Sequence, residues 1–283
     1  MSDPSPLISP EELAARLDDP HVRIADVRWT LGQPDRGRAD YEAGHIPGAS
    51  FVDLDRDLAA PTGPGRHPLP DPAVFARRLG ELGFGSEDFI VAYDDVMGTV
   101  AARLWWMLDN LGQERVALLD GGLGAWRESG LPISTERPQT QPATIHLADR
   151  WSNVLGRDAL TEQIDGVTLI DARAADRYRG ETEPVDPRAG HIPGAVNLPA
   201  RVTLGADGRF LAPGELADRL GAAAPPDRPV VTSCGSGVTA CHTALALRLA
   251  GRPDAILYPG SFSDWSRTDL PVATGPEPHL TEA

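Results

Sequence analysis

Short apolar runs alternate along the chain with stretches whose apolar residues recur at helical spacing. In the first half RIADV (23–27), FIVAY (89–93) and VALL (116–119) read as buried strands, and PAVFARRLGEL (72–82) and VAARLWWMLDNLG (100–112) as helices. Ser9-Pro10-Glu11-Glu12 joins a capping box to a proline in the first helical turn and opens EELAARL as a helix. A short helix through Ala125 and Trp126 completes the series. The second half repeats it with VTLID (167–171), GELADRLGAAA (214–224), PVVTS (229–233), TACHTALALRLAG (239–251) and AILY (255–258). Strands separated by helices predict an α/β fold, a parallel sheet flanked by helices, whose ligands bind outside the carboxyl ends of the strands.

The repetition extends to identity. AGHIPGA stands at 43–49 and again at 189–195. Around it, Ile24–Arg28 answers Leu169–Arg173, Gly98–Ala101 answers Gly237–Ala240, Trp126 answers Trp265, and Leu131-Pro132-Ile133 answers Leu270-Pro271-Val272. A period of roughly 140 residues is too long for a solenoid and fits two tandem domains. The proline-rich TERPQTQPA (135–143) is expected to run extended over the surface. This places one domain at 1–137, a linker at 138–150 and a second domain at 151–283.

Composition narrows the function. The 283 residues carry 26 basic and 41 acidic side chains, a net charge of -15 with no basic run, which excludes nucleic acid as a partner. Every one of those cations is arginine; without lysine there is no Schiff-base or phosphate-loop lysine. Two cysteines, Cys234 and Cys241, are too few for a disulfide framework or a cysteine-rich zinc site. The opening MSDPSPLISPEEL lacks the features of a signal peptide, and no run is long enough for a membrane span. A cytoplasmic protein with reduced thiols and no membrane partner is expected.

The chemistry gathers after PVVTS. In Ser233-Cys234-Gly235-Ser236-Gly237-Val238-Thr239-Ala240 a buried strand ends, a glycine-containing turn follows and a helix begins. Such a turn can aim successive N–H groups at one point, which also faces the positive end of the helix dipole and favours a thiolate. Cys241, two helical turns past Cys234, reads as a packed core thiol, as Trp105, Trp106 and Trp265 read as core. His45 and His191 occur in both copies of the repeat and so are expected to be structural, with their imidazoles hydrogen-bonded locally.

The duplicated domain, the two GHIPGA segments, the CGSGVTAC loop and the GSFSDW segment resemble two-domain rhodanese-like sulfurtransferases over nearly the whole chain. The loop CGSGVT resembles the 3-mercaptopyruvate branch; the thiosulfate branch places charged residues after the cysteine. The resemblance implies a persulfide carried on Cys234, with no metal and no organic cofactor. Gly235, Gly237, Val238 and Thr239 then form the substrate-facing loop. Arg177 and Arg188 match the arginines that bind the donor carboxylate, although the spacer from Arg188 to His191 is shorter than in mammalian relatives. Ser236, with His67 and Asp55 from the first half, resembles a proton-relay set drawn from both halves. The first copy lacks the nucleophile; aligning Gly98 with Gly237 sets Asp95 opposite Cys234. One departure is Pro259 where the family usually has aspartate, a change expected at the outer rim.

The implied reaction moves sulfur from 3-mercaptopyruvate, a small anionic donor, to a thiol, thioredoxin or cyanide. Thiosulfate sulfurtransfer and a non-catalytic sulfur carrier or regulatory module are the competing functions. A phosphatase of this fold would need arginine where the chain has Ala240.

Overall fold

The computed structural model describes residues 5–276, so Met1–Pro4 of the opening segment lie outside the described residues. The chain divides into two compact units. Unit one comprises the chain up to Pro61, Leu69–Ser152 and Gly205–Phe210; unit two comprises Thr62–Pro68, Asn153–Leu204 and the chain from Leu211 on. The stretch 138–150 belongs to unit one. There the Ala143 N–H donates to Gly80 O at 2.9 Å, the Ala148 N–H donates to Leu111 O at 2.9 Å, and Ile145 is buried.

Unit one holds strands β1 (Leu7–Ile8), β2 (Val22–Asp26), β3 (Ala49–Phe51), β4 (Phe89–Tyr93) and β5 (Val116–Leu119) in the order β1-β5-β4-β2-β3, all parallel. Its helices are α1 (Pro10–Ala14), α2 (Arg36–Ala43), α3 (Leu54–Asp57), α4 (Pro72–Glu81), α5 (Ala102–Asn110) and α6 (Gly122–Glu128). Unit two repeats the plan with β6 (Thr168–Asp171), β7 (Val196–Asn197), β8 (Val230–Ser233) and β9 (Ile256–Leu257), ordered β7-β6-β8-β9 and again parallel. Helices α7 (Arg157–Gln163), α8 (Ala175–Arg179), α9 (Pro213–Gly221), α10 (Thr239–Leu249) and α11 (Ser261–Trp265) complete it. The counterpart of β1 has shrunk to a single bridge between Val154 and Leu257. No helix among the described residues is long and apolar enough to cross a membrane.

Both sheets bury their central strands, so the apolar runs become the core. In unit one Ile24, Val91, Leu119 and Trp126 pack together; in unit two Leu169, Val231, Phe262 and Trp265 do the same. The capping box forms as its residues require, with the Glu12 N–H donating to Ser9 Oγ at 3.2 Å and the Ser9 N–H to Glu12 Oε2 at 2.9 Å.

The conserved pattern between the copies is a shared scaffold. Arg28 donates through Nε and Nη2 to Asp26 and reaches Gly44 O at 2.8 Å. Arg173 does the same to Asp171 and reaches Gly190 O at 2.8 Å. The histidines of the two GHIPGA segments follow suit. His45 stacks on Tyr41 with centroids 4.0 Å apart and bonds Tyr41 O, while His191 stacks on Tyr178 at 3.7 Å and bonds Tyr178 O. Both imidazoles are buried scaffold, as expected from their presence in each copy.

Candidate active site

Strand β8 delivers its last residue, Ser233, to the carboxyl edge of the unit-two sheet, and Cys234 follows it. The loop then curls back on the sulfur: the Gly237 N–H points at Cys234 Sγ, 3.2 Å away. Gly237 makes this turn at φ 77, and a Cβ there would lie 2.4 Å from Pro259 O, so no other residue fits without moving the loop. Val238 and Thr239 lead into α10, whose first turn has no side-chain cap. Its exposed N–H groups and aligned dipole therefore face the same end of the loop as the sulfur. Cys241 lies inside that helix, fully buried, with its thiol donating to Gly237 O at 3.3 Å.

The GSFSDW segment supports the loop from behind. Ser261, held at φ 51, accepts the Cys234 N–H on its Oγ at 3.1 Å and donates its own O–H to Tyr258 O at 2.9 Å. The Phe262 N–H bonds Cys234 O at 3.0 Å, and the Ser263 N–H bonds Gly235 O at 2.8 Å. A non-glycine residue in the left-handed region marks a backbone fixed by its surroundings. Pro259 is thus no rim residue: its carbonyl backs directly onto Gly237, which corrects the sequence expectation.

Beside the cysteine, Ser236 Oγ and His67 Nδ1 are hydrogen-bonded at 2.8 Å, and both residues are buried. His67 comes from Thr62–Pro68, the segment of the first half that folds into unit two. Asp55 belongs to α3 in unit one and accepts the Trp29 Nε1–H at 2.8 Å.

Arg177, on α8, donates through Nη2 to both oxygens of Glu183, at 2.7 and 2.9 Å. Burial pushes the Glu183 carboxyl up, but the Asp186 and Val185 N–H groups and the Arg177 guanidinium outweigh it and hold the group below the usual carboxylate range. The free end of Arg177 points to the loop: its Nη1 lies 3.5 Å from where a Cβ on Gly235 would stand.

Arg188 has another task. Its Nε, Nη1 and Nη2 donate to the carbonyls of Ser266, Leu270 and Trp265 at 2.9, 2.9 and 3.1 Å. The guanidinium clamps the chain after α11, spending three of its N–H groups on backbone carbonyls.

The first copy shows what fills an unused loop. Tyr93 pairs with Asp26 as Ser233 pairs with Asp171, so Asp94, and not Asp95, occupies the place of Cys234. Backbone bonds agree, because Leu123 N–H donates to Asp94 O as Phe262 N–H donates to Cys234 O. The Asp94 carboxylate takes the N–H groups of Val96, Gly98, Val100 and Ala101 at 2.7 to 2.9 Å. Burial pushes its carboxyl above the ordinary range against the pull of those four donors. The one-residue offset arises because this loop is one residue longer between the key side chain and its glycine.

Among the described residues no group of three or more His, Cys, Asp or Glu side chains is placed to hold a metal ion. The model of the rhodanese-like domain matches residues 9–129 and 157–268. A probable 3-mercaptopyruvate sulfurtransferase of Pseudomonas aeruginosa is 46% identical over 95% of this chain and 98% of its own. A putative thiosulfate sulfurtransferase, SseB, of Mycobacterium tuberculosis is 44% identical over 95% and 97%. Among solved structures, SseA from Escherichia coli, described with the "Rhodanese" fold and catalytic mechanism of 3-mercaptopyruvate sulfotransferases, is 34% identical. It covers 92% of this chain and 100% of its own with a TM-score of 0.78.

Proposed function

Because this chain belongs to the rhodanese-like family, we propose that it is a sulfurtransferase drawing sulfur from 3-mercaptopyruvate onto Cys234 and releasing pyruvate. The observation that carries the reading is the Gly237 N–H aimed at Cys234 Sγ where β8 meets the uncapped start of α10. Negative charge on a sulfur is stabilised at such a point, first on the attacking thiolate and then on the persulfide.

The Cys234 thiolate attacks the sulfur of the donor, an S–S bond forms and the C–S bond breaks, leaving the enolate of pyruvate. The proton that began on the donor thiol ends on the methylene carbon, giving pyruvate and a persulfide anion. Ser236, hydrogen-bonded to His67 at 2.8 Å, is the group that hands this proton on. Asp55 is retained as the carboxylate of that relay on the family resemblance alone. Arg177 binds the donor carboxylate, because a guanidinium already anchored by Glu183 keeps its other edge fixed toward the loop. The terminal sulfur then passes to a thiol, thioredoxin or cyanide.

Gly235 and Ser236 put no charge of their own beside the sulfur, which favours the mercaptopyruvate reading over thiosulfate. Steady-state kinetics with each donor tests it. A higher kcat/KM for 3-mercaptopyruvate, with one added sulfur on Cys234 by mass spectrometry, is the expected result. Equal or reversed efficiencies would move the assignment to thiosulfate, and no added sulfur would make the chain a binding module.

A further inference from the structure

We propose that Arg66, carried into unit two by the Thr62–Pro68 segment, is the second guanidinium that grips the donor carboxylate, in the role that Arg188 does not fill. The inference rests on the sulfurtransferase reading above.

Arg66 Nη2 lies 2.9 Å from the position of a Cβ on Gly235, and Arg177 Nη1 lies 3.5 Å from the same point. Two cations from distant parts of the sequence thus converge on the residue that follows the nucleophile. Glycine at 235 lets the Arg66 guanidinium approach this closely, since a Cβ there would press it away. Each is anchored from behind: Arg66 Nη1 pairs with Asp186, and Arg177 pairs with Glu183. The backbone of Arg66 is fixed as well, its N–H donating to Ser263 Oγ at 3.0 Å. A side chain pinned at both ends presents its remaining edge with little entropy left to lose.

Charge balance points the same way. Arg66, Arg173, Arg177 and Arg267 face Asp171, Glu183 and Asp186. The cluster holds one more cation than carboxylates in a protein whose net charge is -15. Asp186 is fully buried and Arg66 mostly so, so water screens the surplus weakly. Arg173 also faces Cys234, so the surplus cation offsets the thiolate, and the donor anion is met by the Arg66 and Arg177 edges.

The test separates binding from chemistry. Arg66→Ala should raise KM for 3-mercaptopyruvate roughly ten- to hundredfold and leave kcat within about threefold, because a contact made alike in ground and transition state sets KM alone. Arg66→Lys should recover part of the loss. Gly235→Ala keeps Arg66 and its ion pair but pushes the guanidinium off the loop, so it should raise KM with little change in Tm. Each Arg66 variant, loaded with sulfur at saturating donor, should pass it to dithiothreitol at the wild-type rate. Unchanged KM in Arg66→Ala overturns the proposal. So does a variant that will not load at saturation, or one whose transfer to dithiothreitol slows as much as its donor step, since either reports a damaged loop. A wild-type protein that takes no sulfur from 3-mercaptopyruvate would instead overturn the reading beneath it.

Discussion

Ser236→Ala removes one hydroxyl and asks whether it moves a proton or merely braces the loop. The hydroxyl sits 2.8 Å from His67 Nδ1 with both groups buried, so its loss strips that nitrogen of a buried hydrogen bond. The stability cost of such a change is about 1–3 kcal/mol. Kinetics should show more. A positioned proton donor contributes about 100- to 10,000-fold to rate, which is about 2.7–5.5 kcal/mol of barrier. That contribution exists only where a carbon must be protonated. With 3-mercaptopyruvate the leaving group is an enolate; with thiosulfate it is sulfite, which needs no proton on carbon. The variant should therefore lose at least about 100-fold in kcat for 3-mercaptopyruvate and stay within about threefold for thiosulfate. Coupling pyruvate to lactate dehydrogenase reads the first rate, and thiocyanate formed with cyanide reads the second. Equal losses with both donors would show that the hydroxyl supports the loop and would refute the relay. Wild-type rates with both would refute it too.

Cys234→Ser should abolish transfer while Cys241→Ser retains it, and a persulfide found on Cys241 alone would overturn the nucleophile assignment. Arg177→Ala should lower kcat/KM for 3-mercaptopyruvate roughly ten- to hundredfold, with Arg177→Lys only partly restoring it, as steady-state kinetics on folded variants will show. Glu183 is held below its ordinary value of 4.5, so its contribution to stability is complete above that pH and fades as pH falls through the lowered value. Urea unfolding at pH 6 and pH 3.5 should thus show a smaller acid loss in Glu183→Gln than in the wild type, and equal losses would refute the linkage. Gly237→Ala, forced to φ 77 and into Pro259 O, should lower Tm and transfer together, where a Tm equal to wild type would count against the loop geometry.

The central strands of both sheets were legible because burial on two faces leaves continuous apolar runs, and FIVAY and VALL coincide with β4 and β5, whereas the two- and three-residue edge strands β1, β3 and β7 are too short to show a pattern. Helices α2 and α8 were not, since RGRADYEA and ADRYR show no apolar stripe. A single tyrosine holds each one, Tyr41 through Ala49 O and Tyr178 through Ala195 O. Cys234 was legible from its strand–turn–helix setting, and Ser236 with His67 from resemblance. Arg66 was missed, although it adjoins His67, because nothing local marks a residue whose partners, Asp186 and Ser263, lie far along the chain. The carbonyl partners of Arg188 were missed for the complementary reason: its motif matched, but carbonyl acceptors carry no signature in side-chain sequence.

The loop of the first copy has a consequence for reversibility. Asp94 reaches the Gly98 N–H four positions on, whereas Cys234 meets the Gly237 N–H three positions on. Exchanging Asp94 for cysteine would strand donors that a carboxylate's two oxygens now serve and would leave the thiol facing a loop of the wrong length. Deleting one loop residue while keeping Asp94 would misplace a buried charge. Each change alone breaks the hydrogen bonds that hold this loop, and only the pair restores a thiol cradle. An inactive copy of this kind is locked: descent can keep it as scaffold or lose it, but no single-step path leads back to two nucleophiles.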